Sequence, residues 1–256
     1  MGHIRLGILP KTRRWREVVS LLEQDGTLGE IAEASFKAAE SGLLKAPKDQ
    51  GFVSTLLQVL QFAVASGARS PLERLKAAGF DIGGAESVLD LAGAFRQRAD
   101  QEISKKSSKS DLSEIAQTAF CETLINAVSS RQPALFGSDK EGLSTAVSES
   151  FRGERLKVVM HEFYSRFTRR YLSYYLSREL SNHVGPDKRF LNIKEHSEFD
   201  GAFDLYVRQS VRIVDEFSPA WLSKTLYQSA LDDKSVSRYA HAAFRKIRSE
   251  FIRGGA

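Results

Sequence analysis

Apolar residues recur along this chain at three- and four-residue intervals nearly everywhere, the spacing that puts them on one side of a helix. Trp15, Val18, Val19 and Leu22 predict a first helix over about 12–24. Thr27 and Glu30 have capping-box spacing, and Ile31, Ala34 and Ala38 continue the rhythm behind them. Phe52, Leu56, Leu60 and Val64 mark the next helix. Ser70-Pro71 opens a short one that ends at Gly79. Residues 85–105 carry Val88, Leu91, Ala92 and Phe95, and Ser110 caps a helix holding Leu112, Ile115, Ala119 and Leu124. Gln132-Pro133 ends that helix, and a loop with Phe136 and Gly137 follows. A short helix is expected at 138–149, a long one at 154–182 stopped by Gly185-Pro186, and another from Ile193 to Phe217 ended by Pro219. An aromatic link, Trp221 to Tyr227, leads to a last helix from Lys234 to Arg253.

Strand signals are poor. Only His3 to Leu9 alternates, and no Asn-Gly or Asp-Gly pair joins two β-branched runs. The pattern predicts an all-α bundle of about nine helices. Proline, glycine, serine and charge replace the apolar rhythm near 131–150. The chain therefore divides into an N-terminal helical region (1–132) and a C-terminal one (151–256), or forms a single domain over 1–256.

The segment Glu154–Asn182 carries the most information. Leu156, Met160, Phe163, Phe167, Tyr171 and Tyr174 share one face, and Leu172, Leu176 and Leu180 extend the apolar surface to the opposite side. A helix apolar all round is usually central to its bundle. Its second half is therefore expected in the core, and its first half is expected to show a basic side. In the last helix Val236, Ala240, Ala243 and Ile247 form an inner stripe, with Arg238, His241, Arg245 and Arg248 outside it.

Charge changes this picture. The net charge is +5, from 37 basic and 32 acidic residues in 256, but it is unevenly spread. Residues 1–17 hold five basic groups and one acidic, 151–180 hold seven and three, and 234–256 hold six and one. The two stretches between them are net acidic. Arginine dominates the basic blocks: Arg5, Arg13, Arg14 and Arg16; Arg152, Arg155, Arg166, Arg169, Arg170 and Arg178; Arg238, Arg245, Arg248 and Arg253. Guanidinium forks suit carboxylate and phosphate partners. Such blocks either converge on an anionic partner or pair with the chain's own acidic body. Aromatics interleaved with arginines at 156–174 also fit base stacking, although an aromatic stripe at helical spacing is more commonly core.

Catalytic chemistry is thinly signalled. There is no Gly-x-Gly-x-x-Gly, no Walker A loop and no Gly-x-Ser-x-Gly elbow, and His161-Glu162 is not His-Glu-x-x-His because residue 165 is serine. Arg178, Glu179, Asn182 and His183 cluster at one helix end with His196 nearby, a polar set able in principle to bind a metal or move a proton. The simpler reading has Asn182 as a C-cap and His183 favoured by the helix dipole. No metal or cofactor is expected. Cys121, the single cysteine, lies in an apolar pattern as an inert thiol, which favours a reducing compartment. The longest uncharged run, Gly51–Ala68, carries Ser54, Thr55, Gln58 and Gln61 and reads as a core helix rather than a membrane span. The start lacks the order of a secretory leader, so a cytoplasmic protein with no membrane association is expected.

The opening block HIRLGILPKTRRWREVV and the segment TRRYLSYYLSRELSNHVG resemble uncharacterised bacterial proteins, some of them from mobile or antiviral-defence gene clusters. The resemblance implies a defence-type complex and transfers no residue role. The residues themselves favour a non-catalytic all-α subunit that binds a protein partner in a larger assembly. The first alternative is a DNA- or RNA-binding module using the arginine-rich faces. The second is an enzyme built on Glu179, His183 and His196. Oligomeric state is left open.

Overall fold

The computed structural model describes residues 9–106, 109–131, 140–228 and 230–253. Arg5, most of the alternating stretch His3–Leu9, the helix end at Gln132-Pro133 and the loop with Phe136 and Gly137 lie outside them. Among the described residues the fold is all-helical, with eleven α-helices. They are α1 (Arg13–Glu23), α2 (Leu28–Leu43), α3 (Gln50–Ser66), α4 (Pro71–Ala77), α5 (Val88–Lys106) and α6 (Asp111–Ser129), then α7 (Lys140–Phe151), α8 (Arg155–Asn182), α9 (Ile193–Val211), α10 (Val214–Tyr227) and α11 (Asp233–Arg253). A 3-10 turn, Ala46–Lys48, precedes α3. The nearest thing to a strand among the described residues is one isolated bridge, Val184 to Phe190. None of their helices is long and apolar enough to cross a membrane.

Helix starts follow their local chemistry. Thr12 accepts from the Trp15 N–H at 3.3 Å, Asn192 from Glu195 at 3.1 Å, and Ser110 from Ser113 at 3.1 Å. The Thr27–Glu30 box closes in both directions, at 3.3 and 2.7 Å. Each cap satisfies an N–H that the first helical turn leaves without a carbonyl. Ser70 precedes α4 but makes no side-chain cap bond.

The count differs from about nine chiefly because the expected 193–217 helix is two. Backbone bonds of the i to i+3 kind, Arg212 N–H to Gln209 and Asp215 N–H to Arg212, turn the chain at 212–213. The helix that follows carries Pro219 inside it, together with the expected aromatic link. Proline removes one i to i−4 bond. Packing outweighs that loss: Ser218 and Leu222 are buried, and Trp221 stacks on Tyr239 with ring centroids 4.2 Å apart. The C-cap of α8 is His183 rather than Asn182.

Helix α3 is buried on nearly all sides. Phe62 stands at the centre of an aromatic cluster, its ring 5.1 to 6.0 Å from those of Phe80, Phe120, Phe95 and Phe151. A second cluster joins Phe52 to Phe167 (5.0 Å) and Phe244 (5.8 Å), with Tyr164 5.7 Å from Phe244. Each such phenyl contributes about 2–3 kcal/mol by leaving water. At 28 residues α8 is about 42 Å long, and it packs on α6, α7, α9 and α10. Its expected stripe is internal: Met160, Phe163, Phe167, Tyr171, Leu172, Leu176 and Leu180 are buried, with Leu156 and Tyr174 partly so.

Candidate functional site

The three basic blocks meet different fates. On α8, Arg170 makes a bidentate pair with Glu122 of α6, its Nε donating at 3.0 Å. Arg169 reaches Asp200 of α9 and the Ser173 hydroxyl while lying 4.9 Å over the Phe203 ring. Arg166 pairs with Glu162 at 3.1 Å, and the same carboxylate takes both arms of Arg208 from α9, at 2.5 and 2.9 Å. These guanidiniums are all half-buried and each is paired with a carboxylate of the chain, although Arg166 shares Glu162 with Arg208. They tie α8 to α6 and α9. Phe163, Phe167 and Tyr171 beside them are core, while Tyr174 and Tyr175 are half-buried.

Blocks one and three come together. Arg14 of α1 donates to the Lys37 carbonyl at 2.8 Å and to Glu40 at 3.3 Å. Arg248 of α11 grips the other oxygen of Glu40. One carboxylate on α2 thus serves two arginines from opposite ends of the chain. Arg13 adjoins Arg14, Arg16 lies about 160° round α1 from Arg14, and Arg245 lies one turn from Arg248. All three are exposed, with no hydrogen-bond or ion-pair partner among the described residues. His241 is exposed one turn before Arg245, and Arg238, also exposed, lies in the field of Asp232. Lys45 and Lys48 are exposed next to α11, whose Ser237 hydroxyl donates to the Pro47 carbonyl at 2.6 Å. The result is a basic face on α1, the end of α2 and α11. Arg152 is exposed elsewhere, and Arg155 donates to the Glu149 carbonyl at 3.0 Å.

The polar set at the end of α8 assembles only in part. Glu179 Oε1 lies 3.3 Å from His183 Nε2. Arg178 and Asn182 are exposed, and the Asn182 carbonyl is taken by Lys188 at 2.6 Å. His196 sits against the Phe190 ring at 5.4 Å, and its Nε2 is buried without a hydrogen bond. No three metal-ligating side chains come together among the described residues. Cys121 is largely covered, its Sγ 3.7 Å from the Ala92 carbonyl, and burial pushes the thiol up to about 11.

Sequence reading missed a second buried polar set. His161 of α8 lies 3.3 Å from Asp215 of α10, whose carboxyl burial holds above the usual range. Close by, the Ser218 and Tyr239 hydroxyls are 2.7 Å apart. It also missed Arg189. This side chain donates to the Gly26 carbonyl at 2.7 Å and lies 5.3 Å over the Phe199 ring, fastening the α8–α9 loop to the α1–α2 turn. Both arrangements join residues far apart in the chain, and neither leaves a short motif.

No protein-family model, curated protein or solved structure matches this chain.

Proposed function

We propose that the chain is a non-catalytic all-α subunit that docks on an acidic protein surface through the basic face of α1 and α11. The observation that carries this reading is the convergence of Arg14 and Arg248 on Glu40, with Arg13 next to Arg14 and Arg245 one turn from Arg248 both exposed and unpaired among the described residues. Guanidinium groups carried on helices suit carboxylate recognition by planar forks. A protein rather than a single-stranded nucleic acid is favoured because Phe163, Phe167 and Tyr171, which would stack on bases, are buried.

The test is copurification of the tagged chain at low salt, with nuclease treatment, beside an Arg13→Glu/Arg245→Glu variant. The reading expects a stoichiometric protein partner that survives nuclease, a heterocomplex by light scattering, and loss of that partner from the variant. An unchanged complex with the variant contradicts it. So does a strictly monomeric chain, or retention by nucleic acid alone that falls steeply with salt.

A further inference from the structure

A groove of about 600 Å³ lies between α3, α4, α5 and the link that leads into α11. That volume is within the range of small-molecule sites. Its walls are Val64, Leu231 and four alanines, Ala65, Ala68, Ala77 and Ala78. The alanines leave the space because their side chains are too short to fill it. Among the described residues its polar groups are Gln61 and two arginines, Arg74 and Arg98, with no carboxylate in the lining.

The arginines are not evenly balanced. Arg98, its side chain 26% exposed, pairs with Glu102 at 3.0 Å, but Glu102 is also held by Lys105 at 2.7 Å. One carboxylate therefore answers two cations. Arg98 Nε is buried with no hydrogen bond, and Arg74 has no partner among the described residues. The position of Arg98 depends on Gly79. At φ +88° this residue turns the chain after α4, and a Cβ there would lie 3.1 Å from the Arg98 guanidinium carbon. The glycine thus admits the guanidinium against the turn.

We infer that this groove is a binding site for a small amphipathic carboxylate, a single carboxylate head on an acyl or aryl body. The two forks and Gln61 match the two oxygens of a carboxylate. Beyond them the lining holds no lysine or hydroxyl among the described residues to take the further oxygens of a phosphate. The apolar walls, in contrast, need an apolar body to cover them.

Calorimetric titration of the full chain tests this with decanoate, 4-phenylbutyrate and the neutral control 1-decanol. At least one carboxylate should bind one to one, with decanol at least tenfold weaker. Arg74→Gln should weaken carboxylate binding at least tenfold, equivalent to about 1.4 kcal/mol. Ala77→Phe, at an exposed position, should fill the groove and abolish binding while the melting temperature holds. Failure of both carboxylates to bind, equal binding of decanol, or binding that survives either substitution overturns the proposal.

Discussion

Gly42 is occupied space in disguise. A Cβ there would lie 2.9 Å from Cζ of the buried Tyr171 ring and closer still to its hydroxyl, at a half-buried position. Alanine normally improves a helix interior by about 1 kcal/mol over glycine. Here Gly42→Ala should instead cost about 1–3 kcal/mol, because a rigid ring must move in a packed core. Tyr171→Phe should recover part of that loss, and denaturant unfolding of the two single variants and the double variant measures it. A stabilising Gly42→Ala would contradict this packing. Arg189 is a second case. Its side chain is 12% exposed, and Arg189→Ala should cost about 1.5–3 kcal/mol by leaving the Gly26 carbonyl without its charged donor. An unchanged unfolding midpoint would show the contact to be idle. Neither role was legible in the sequence. The partner of each residue lies more than 120 positions away, and local pattern carries no such information.

Helix boundaries set by local chemistry were legible. The caps at Thr12, Thr27 and Ser110 act within three residues, so sequence displays both partners. The turn at 212–213 and the retention of Pro219 within α10 depend on packing against Tyr239, which sequence displays only as an apolar rhythm. The caps also carry a pH signature. Backbone N–H donors of Thr27, Glu86 and Ser235 hold the carboxyls of Glu30, Asp90 and Asp232 below their ordinary values. A depressed carboxyl gives its stabilisation in full above its unfolded value, 3.8 for aspartate and 4.5 for glutamate, and loses it as pH falls through the folded value. Asp90→Asn should therefore melt below the wild type at pH 7, with the gap closing as pH falls toward 3. A gap independent of pH would mean that the Asp90 charge does not support the start of α5.

Across the whole molecule, the all-α class and the burial of the long helix were legible because a 28-residue amphipathic pattern leaves little alternative. The buried residues form one contiguous cluster from Trp15 to Phe251, reaching across the compositional seam near 131–150. The fate of the arginines was not legible. Sequence shows three similar basic blocks, whereas the fold supplies Glu122, Glu162 and Asp200 to the middle one, and to the other two Glu40, shared by Arg14 and Arg248, and Glu250, which takes the terminal Arg253. Which arginine is balanced depends on which acidic residue lies across from it, a property of tertiary arrangement alone.

This division of the arginines is tested most directly by thermal unfolding of two triple variants. Arg166→Ala/Arg169→Ala/Arg170→Ala strips half-buried ties from α8 and should lose about 2–4 kcal/mol, roughly 5–10 °C for a chain of this size. Arg13→Ala/Arg16→Ala/Arg245→Ala removes only unpaired surface charge and should melt within about 2 °C of the wild type. Equal losses in both variants, or a larger loss in the second, would contradict the account of a sealed α8 and a free α1–α11 face.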